Sequence, residues 1–156
     1  MDYDDIYNET WDELPVEKTL PDGGYRLAGA NAAWVKPRDE NGKAKVLFSY
    51  TAKEPLTVDP EVLEEALGDN YDLSMNNLTL TFFIEGPKDW QAVKKHLTIH
   101  GIEVTGPLFD ENKKLSFAKA FRSSEVVAQV GHRFYQNNSG ENVEQNTLSK
   151  FQPVSE

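Results

Sequence analysis

Five stretches of this chain alternate apolar and polar residues with a period of two, and their order constrains the fold more than any other feature. The clearest is Leu78–Ile84, where Leu78, Leu80, Phe82 and Ile84 fall on one side. Residues 25–36 read as a long first strand ending before Pro37. Residues 43–51 read as the strand returning from a polar hairpin loop at 37–42, with Val46, Phe48 and Tyr50 alternating. Residues 125–136 and roughly 143–152 form a closing pair around a turn that contains Ser139-Gly140.

Two helices interrupt this series. Asp59-Pro60 offers an N-cap followed by proline at the first helical position, with Val62, Leu63, Ala66 and Leu67 behind and Gly68 as the stop. A second helix is expected over about 89–100, with Trp90, Val93 and Leu97 on one stripe and Gly101 after it. Residues 110–121 carry a weaker helical pattern. With the short helix at 60–67 set aside as an insertion between strands 2 and 3, a helical block separates strands 3 and 4. That is the connectivity of the oligonucleotide/oligosaccharide-binding (OB) fold, a small five-stranded Greek-key barrel. The expected class is α+β, mainly β, with a single OB-like domain over 19–154 that opens at the Pro21-Asp22-Gly23-Gly24 turn.

The length of 156 residues, 38 % of them apolar, suits one domain with its own core. There is no cysteine, which excludes disulfides and thiolate chemistry. No apolar run approaches the roughly 20 residues of a membrane helix, and MDYDDIYNETWDEL lacks the character of a signal peptide. A cytoplasmic protein without membrane contact is expected, which makes the sequons at Asn8, Asn77 and Asn137 irrelevant.

The net charge of -10 is unevenly placed. Seven acids and no base fall in residues 1–17. Removing those seven from 26 acids leaves 19 against 16 bases, so the rest of the chain is close to neutral. Residues 1–18 lack strand alternation and space Tyr3, Ile6, Tyr7, Trp11 and Leu14 loosely. They read as an acidic, aromatic arm that folds on a partner, with Tyr7, Trp11 and Leu14 as protein-binding anchors.

Alternation also sorts the strands into faces. The inward set is Tyr25, Leu27, Gly29, Ala33 and Val35 in the first strand, and Val126, Ala128, Val130 and Phe134 in the fourth. The outward set then gathers Trp34, Phe83 and Tyr135 with Arg26, Lys36, Lys45 and Arg133. Rings interleaved with cations suit single-stranded nucleic acid, because bases stack on rings while cations track phosphates. The competing reading makes the same rings the second face of a sheet covered by helices.

His96 and His100 stand four residues apart, a spacing that can serve one metal ion. No third ligand is close in sequence, and histidines in a last helical turn are ordinarily held by the helix dipole. No metal site is expected there, nor a cofactor. Asp110-Glu111-Asn112 lacks the spacing of a calcium loop. There is no glycine-rich phosphate loop and no nucleophile elbow, so the chain reads as non-enzymatic.

The segments LPDGGYRLAGANAAW and KAKVLFSYTAKEPL, then DWQAVKKHLTIHGI and EVVAQVGHRFYQNNSGENVEQNTLSKFQPV, resemble small phage-encoded proteins of the single-stranded-DNA-binding type over most of residues 19–154. That resemblance implies an oligonucleotide-binding barrel that stacks bases on aromatic rings in replication or recombination, located in the host cytoplasm. Proteins of that type carry their acidic tail at the C-terminus, whereas here it is N-terminal. The alternative is an acidic phage adaptor or inhibitor that grips a host or virion protein through its arm. Negative charge favours that reading, since DNA binders usually present a basic face.

Overall fold

The computed structural model describes residues 19–37, 42–69, 71–136 and 139–154. Each alternating stretch is a strand: β1 (Gly23–Val35), β2 (Ala44–Pro55), β3 (Leu78–Ile84), β4 (Glu125–Gln136) and β5 (Asn142–Pro153). They form one antiparallel sheet in the order β3-β2-β1-β4-β5. The sheet is not closed, because β3 and β5 are its edges and share no ladder. No helix among the described residues is long and apolar enough to cross a membrane.

The first helix, α1 (Pro60–Leu67), starts at Asp59-Pro60 and ends at Gly68, whose φ of 100° suits a residue without a β-carbon. The Asp59 side chain makes no capping bond. The second, α2 (Pro87–Ile99), begins earlier than its apolar stripe suggests. Pro87 fits the first turn, and the Asp89 carboxylate accepts the N–H groups of Glu85 (2.8 Å) and Gly86 (3.3 Å). Residues 110–121 depart from the helical expectation: only α3 (Ala118–Arg122) is helical. Upstream, Asp110 Oδ1 accepts from the N–H groups of Asn112 (2.8 Å) and Lys114 (3.0 Å), and Lys113 takes a φ of 60°. A short acidic side chain has outcompeted the helix for its own backbone.

One face of the sheet supplies Tyr25, Leu27, Val46, Phe48, Tyr50, Val126, Ala128 and Val130 to the core. Leu63 of α1, Val93 and Leu97 of α2 and Phe121 of α3 fill it from the helices. The α2 helix packs on both edge strands, β3 and β5. At the entrance to β1, the N–H of buried Leu20 donates to Asn146 Oδ1 (2.9 Å) and its carbonyl accepts from Asn146 Nδ2 (3.0 Å). This amide pair ties the beginning of the body to β5. The anchors Tyr7, Trp11 and Leu14 lie outside the described residues.

A β-bulge corrects the facing of the first strand. Gly29 pairs with Tyr50 and Asn31 with Ser49, so Ala30 is an extra residue on β1. From there the side chains exchange faces. Trp34, expected outward, stands opposite Val46 on the inner face, whereas Ala33 and Val35 turn outward. The bulge is pinned from below, where a β-carbon on Gly29 would sit 2.1 Å from the Phe121 carbonyl oxygen. The Gly29 N–H donates to the Ser124 carbonyl at 3.0 Å.

Candidate nucleic-acid interface

Opposite residues in an antiparallel pair share a face, so the register gives the composition of the outer surface. Across β1, β2 and β3 it reads Val35–Lys45–Phe83, then Ala33–Leu47–Thr81, then Asn31–Ser49–Thr79. The helices and buried side chains lie on the other face. Around the branched apolar side chains of Val35 and Leu47 this outer surface is built from alanine, serine, threonine and asparagine, and Phe83 stands out from it at 56 % exposure. Lys45 is directly opposite Phe83. Lys36 follows β1 in an exposed position, and neither lysine forms an ion pair among the described residues. A ring beside a cation, above a bed of mostly small side chains, can stack one base and hold its phosphate.

The other expected site residues do not join this group. Arg26 lies on the outer face, but Glu54 and Glu125 each reach it at 3.1 Å, so two carboxylates already meet its charge. Trp34 packs beneath the sheet, stacked on Trp90 with ring centres 5.5 Å apart and edge-on to Phe109 at 5.4 Å. Arg133 and Tyr135 keep the outer side of β4, but β1 stops pairing with β4 at Gly23–Val130. Both belong to the part of the β4–β5 hairpin that projects past β1. Arg133 donates from Nε and Nη2 to Gln145 Oε1 at 2.9 and 2.7 Å. The 13 residues of β1 separate this hairpin from the Phe83 end, roughly 40 Å of extended chain. The expected platform is thus two separate patches.

Alternation places Phe134 in the core, yet it is 74 % exposed. Its parity is right, but the core ends at Val130 and the hairpin continues without a cover. On the same side His132 lies against Asp22 and is 3.0 Å from Glu144 Oε1, beside Thr19 Oγ1 at 3.1 Å. A surface cavity of about 740 Å³ opens there between α1 and the hairpin, lined by Val62, Glu65 and Val143 as well as His132 and Glu144.

The helix histidines are buried rather than seated at an exposed helix end. No group of three or more histidine, aspartate or glutamate side chains among the described residues could hold a metal ion. Compared with known proteins, the chain matches no family model and no curated protein.

Proposed function

We propose that this chain is a non-catalytic binder of single-stranded nucleic acid that uses the outer face of β1, β2 and β3. The observation that carries the proposal is Phe83, an exposed ring directly opposite Lys45, which forms no ion pair among the described residues, on a sheet face of mostly small side chains. Two features support it. The order β3-β2-β1-β4-β5 would become an OB-type barrel if β3 and β5 were joined, and α2 falls in sequence between β3 and β4 and packs on both edges. The sequence resemblance to phage single-stranded-DNA-binding proteins points the same way, towards replication or recombination. The acidic arm then acts as a competing polyanion.

A protein-binding adaptor is the second reading, favoured by the net charge of -10 and by the occupation of Arg26 by carboxylates. Fluorescence anisotropy of labelled oligo-dT at several salt concentrations separates the two. Phosphate tracking requires binding that weakens steeply as salt rises, and no binding at low salt leaves the adaptor.

A further inference from the structure

Four buried or half-buried polar side chains meet inside the core without a carboxylate or cation among them. Tyr50 Oη lies 2.6 Å from His96 Nε2 and 2.9 Å from His100 Nε2. His100 Nδ1 lies 2.9 Å from Ser124 Oγ, and Ser124 Oγ donates to the Phe121 carbonyl at 2.7 Å. These contacts fix the protons. The one hydroxyl hydrogen of Ser124 is spent on the carbonyl, so His100 must donate from Nδ1–H and its Nε2 carries the lone pair. Tyr50 donates to that lone pair, and its oxygen then accepts from the Nε2–H of His96. The chain runs one way, from His96 through Tyr50, His100 and Ser124 to the Phe121 carbonyl, and it requires two neutral imidazoles in opposite tautomers.

We infer that this chain is an acid-sensitive latch that holds α2 to β2 and to the junction of α3 with β4. A proton added to His100 would put a hydrogen on Nε2, facing the hydrogen that Tyr50 already donates. A proton on His96 would place a charge where no anion faces it. The groups around the two imidazoles are Tyr50 and Phe48 from β2, Phe82 from β3, Phe121 and Ser124 around α3, and Phe151 from β5. Apart from the imidazoles themselves, only Tyr50 is titratable, and burial pushes its ionisation upwards, so it stays neutral.

Burial also lowers the histidines, His96 to about 3 with a contribution from neighbouring His100, and His100 to about 4. A histidine depressed in the folded state binds its proton first in the unfolded chain. The latch is therefore fully effective above the ordinary histidine range near 6.5 and weakens as pH falls towards 4. Each imidazole lowers the folding equilibrium constant by up to about tenfold per pH unit in that window.

Nitrogen-15 NMR of the full chain tests this. At pH 7.5, His96 should report the Nε2–H tautomer and His100 the Nδ1–H tautomer. Both should stay neutral during acidification until the fold is lost, then take up protons together with that loss. Either imidazole titrating near pH 6.5 in an intact fold, or both sharing a tautomer, would overturn the latch. In the double variant His96→Gln/His100→Gln, the melting temperature should lose most of its decline between pH 6.5 and 4, and an unchanged decline would also overturn it. Should that variant not fold, the NMR titration of the unmodified chain decides alone. Stoichiometric zinc should leave the melting temperature of the unmodified chain unchanged, because of the two Nε2 atoms, 3.3 Å apart, only that of His100 carries a lone pair, and Tyr50 already donates to it. A zinc-dependent rise would contradict the one-way chain.

Discussion

Trp34 stacks on Trp90 across the gap between β1 and α2, with ring planes 23° apart. Phe109 closes the cluster from the 107–117 loop, edge-on to both indoles. The contact ties the far end of β1 to the start of α2, whose backbone packs on the edge strands and whose His96 reaches Tyr50 of β2. Trp34→Ala should remove buried apolar area and open a cavity, at a cost of about 2–4 kcal/mol for a half-buried indole. Affinity for oligo-dT should be unchanged once the variant is compared below its own melting temperature. Thermal unfolding together with anisotropy checks this, and a stable variant with lost binding would return Trp34 to the interface.

Gly29 is the second position at which the fold depends on one residue. A β-carbon there would meet the Phe121 carbonyl oxygen at 2.1 Å, and backbone cannot yield as a side-chain tip can. Gly29→Ala should therefore cost about 3 kcal/mol or more, by forcing α3 away from β1. Gly24→Ala is the control, since its β-carbon would meet side chains rather than backbone, Thr57 at 3.4 Å and Gln129 Oε1 at 4.0 Å. Denaturant unfolding of the two variants should show a large loss for the first and a small one for the second.

Phe83 and Lys45 test the interface itself. Both are on the outer face and away from the core, so Phe83→Ala should leave stability within about 0.5 kcal/mol of the parent. If a base stacks on the ring, oligo-dT affinity should fall by about 1–3 kcal/mol. Lys45→Ala should weaken binding less and reduce its salt dependence by about one phosphate contact. Unchanged affinity in both variants would move any nucleic-acid site away from β2 and β3.

The strands were legible because alternation is a backbone property that survives tertiary packing, as Leu78–Ile84 shows. Facing was legible only as far as the first irregularity. The extra residue Ala30 reverses every side chain after it, and nothing in GANAAW announces a bulge except a glycine that could equally have been a flexible position. Phe134 fails for a different reason: period two gives parity, but not where the core stops along a strand. The helix expected at 110–121 survives only from Ala118, its earlier part being lost to the local bonds of Asp110. His96 and His100 were visible as a pair, while their partner Tyr50, 46 and 50 residues away, was hidden among the core residues of β2.

The arm gives the sharpest separation between the two functional readings. Residues 1–17 carry seven carboxylates and no base, and the remaining chain is near neutral. Within about 10 Å, one Debye length at 0.1 M salt, such a polyanion repels phosphates. If the outer sheet face binds single strands, deleting residues 1–17 should strengthen binding, most at low salt, because a competitor has been removed. The fold should survive, since the body is already anchored downstream of the cut by Leu20 in the core and by its paired amide bonds to Asn146. If the chain is an adaptor, the same deletion should abolish capture of its protein partner, with negligible oligo-dT affinity before and after. Anisotropy and a thermal melt on the truncated chain distinguish these outcomes. Unfolding on deletion would defeat both, by showing that Tyr7, Trp11 and Leu14 stabilise the domain rather than reach for a partner.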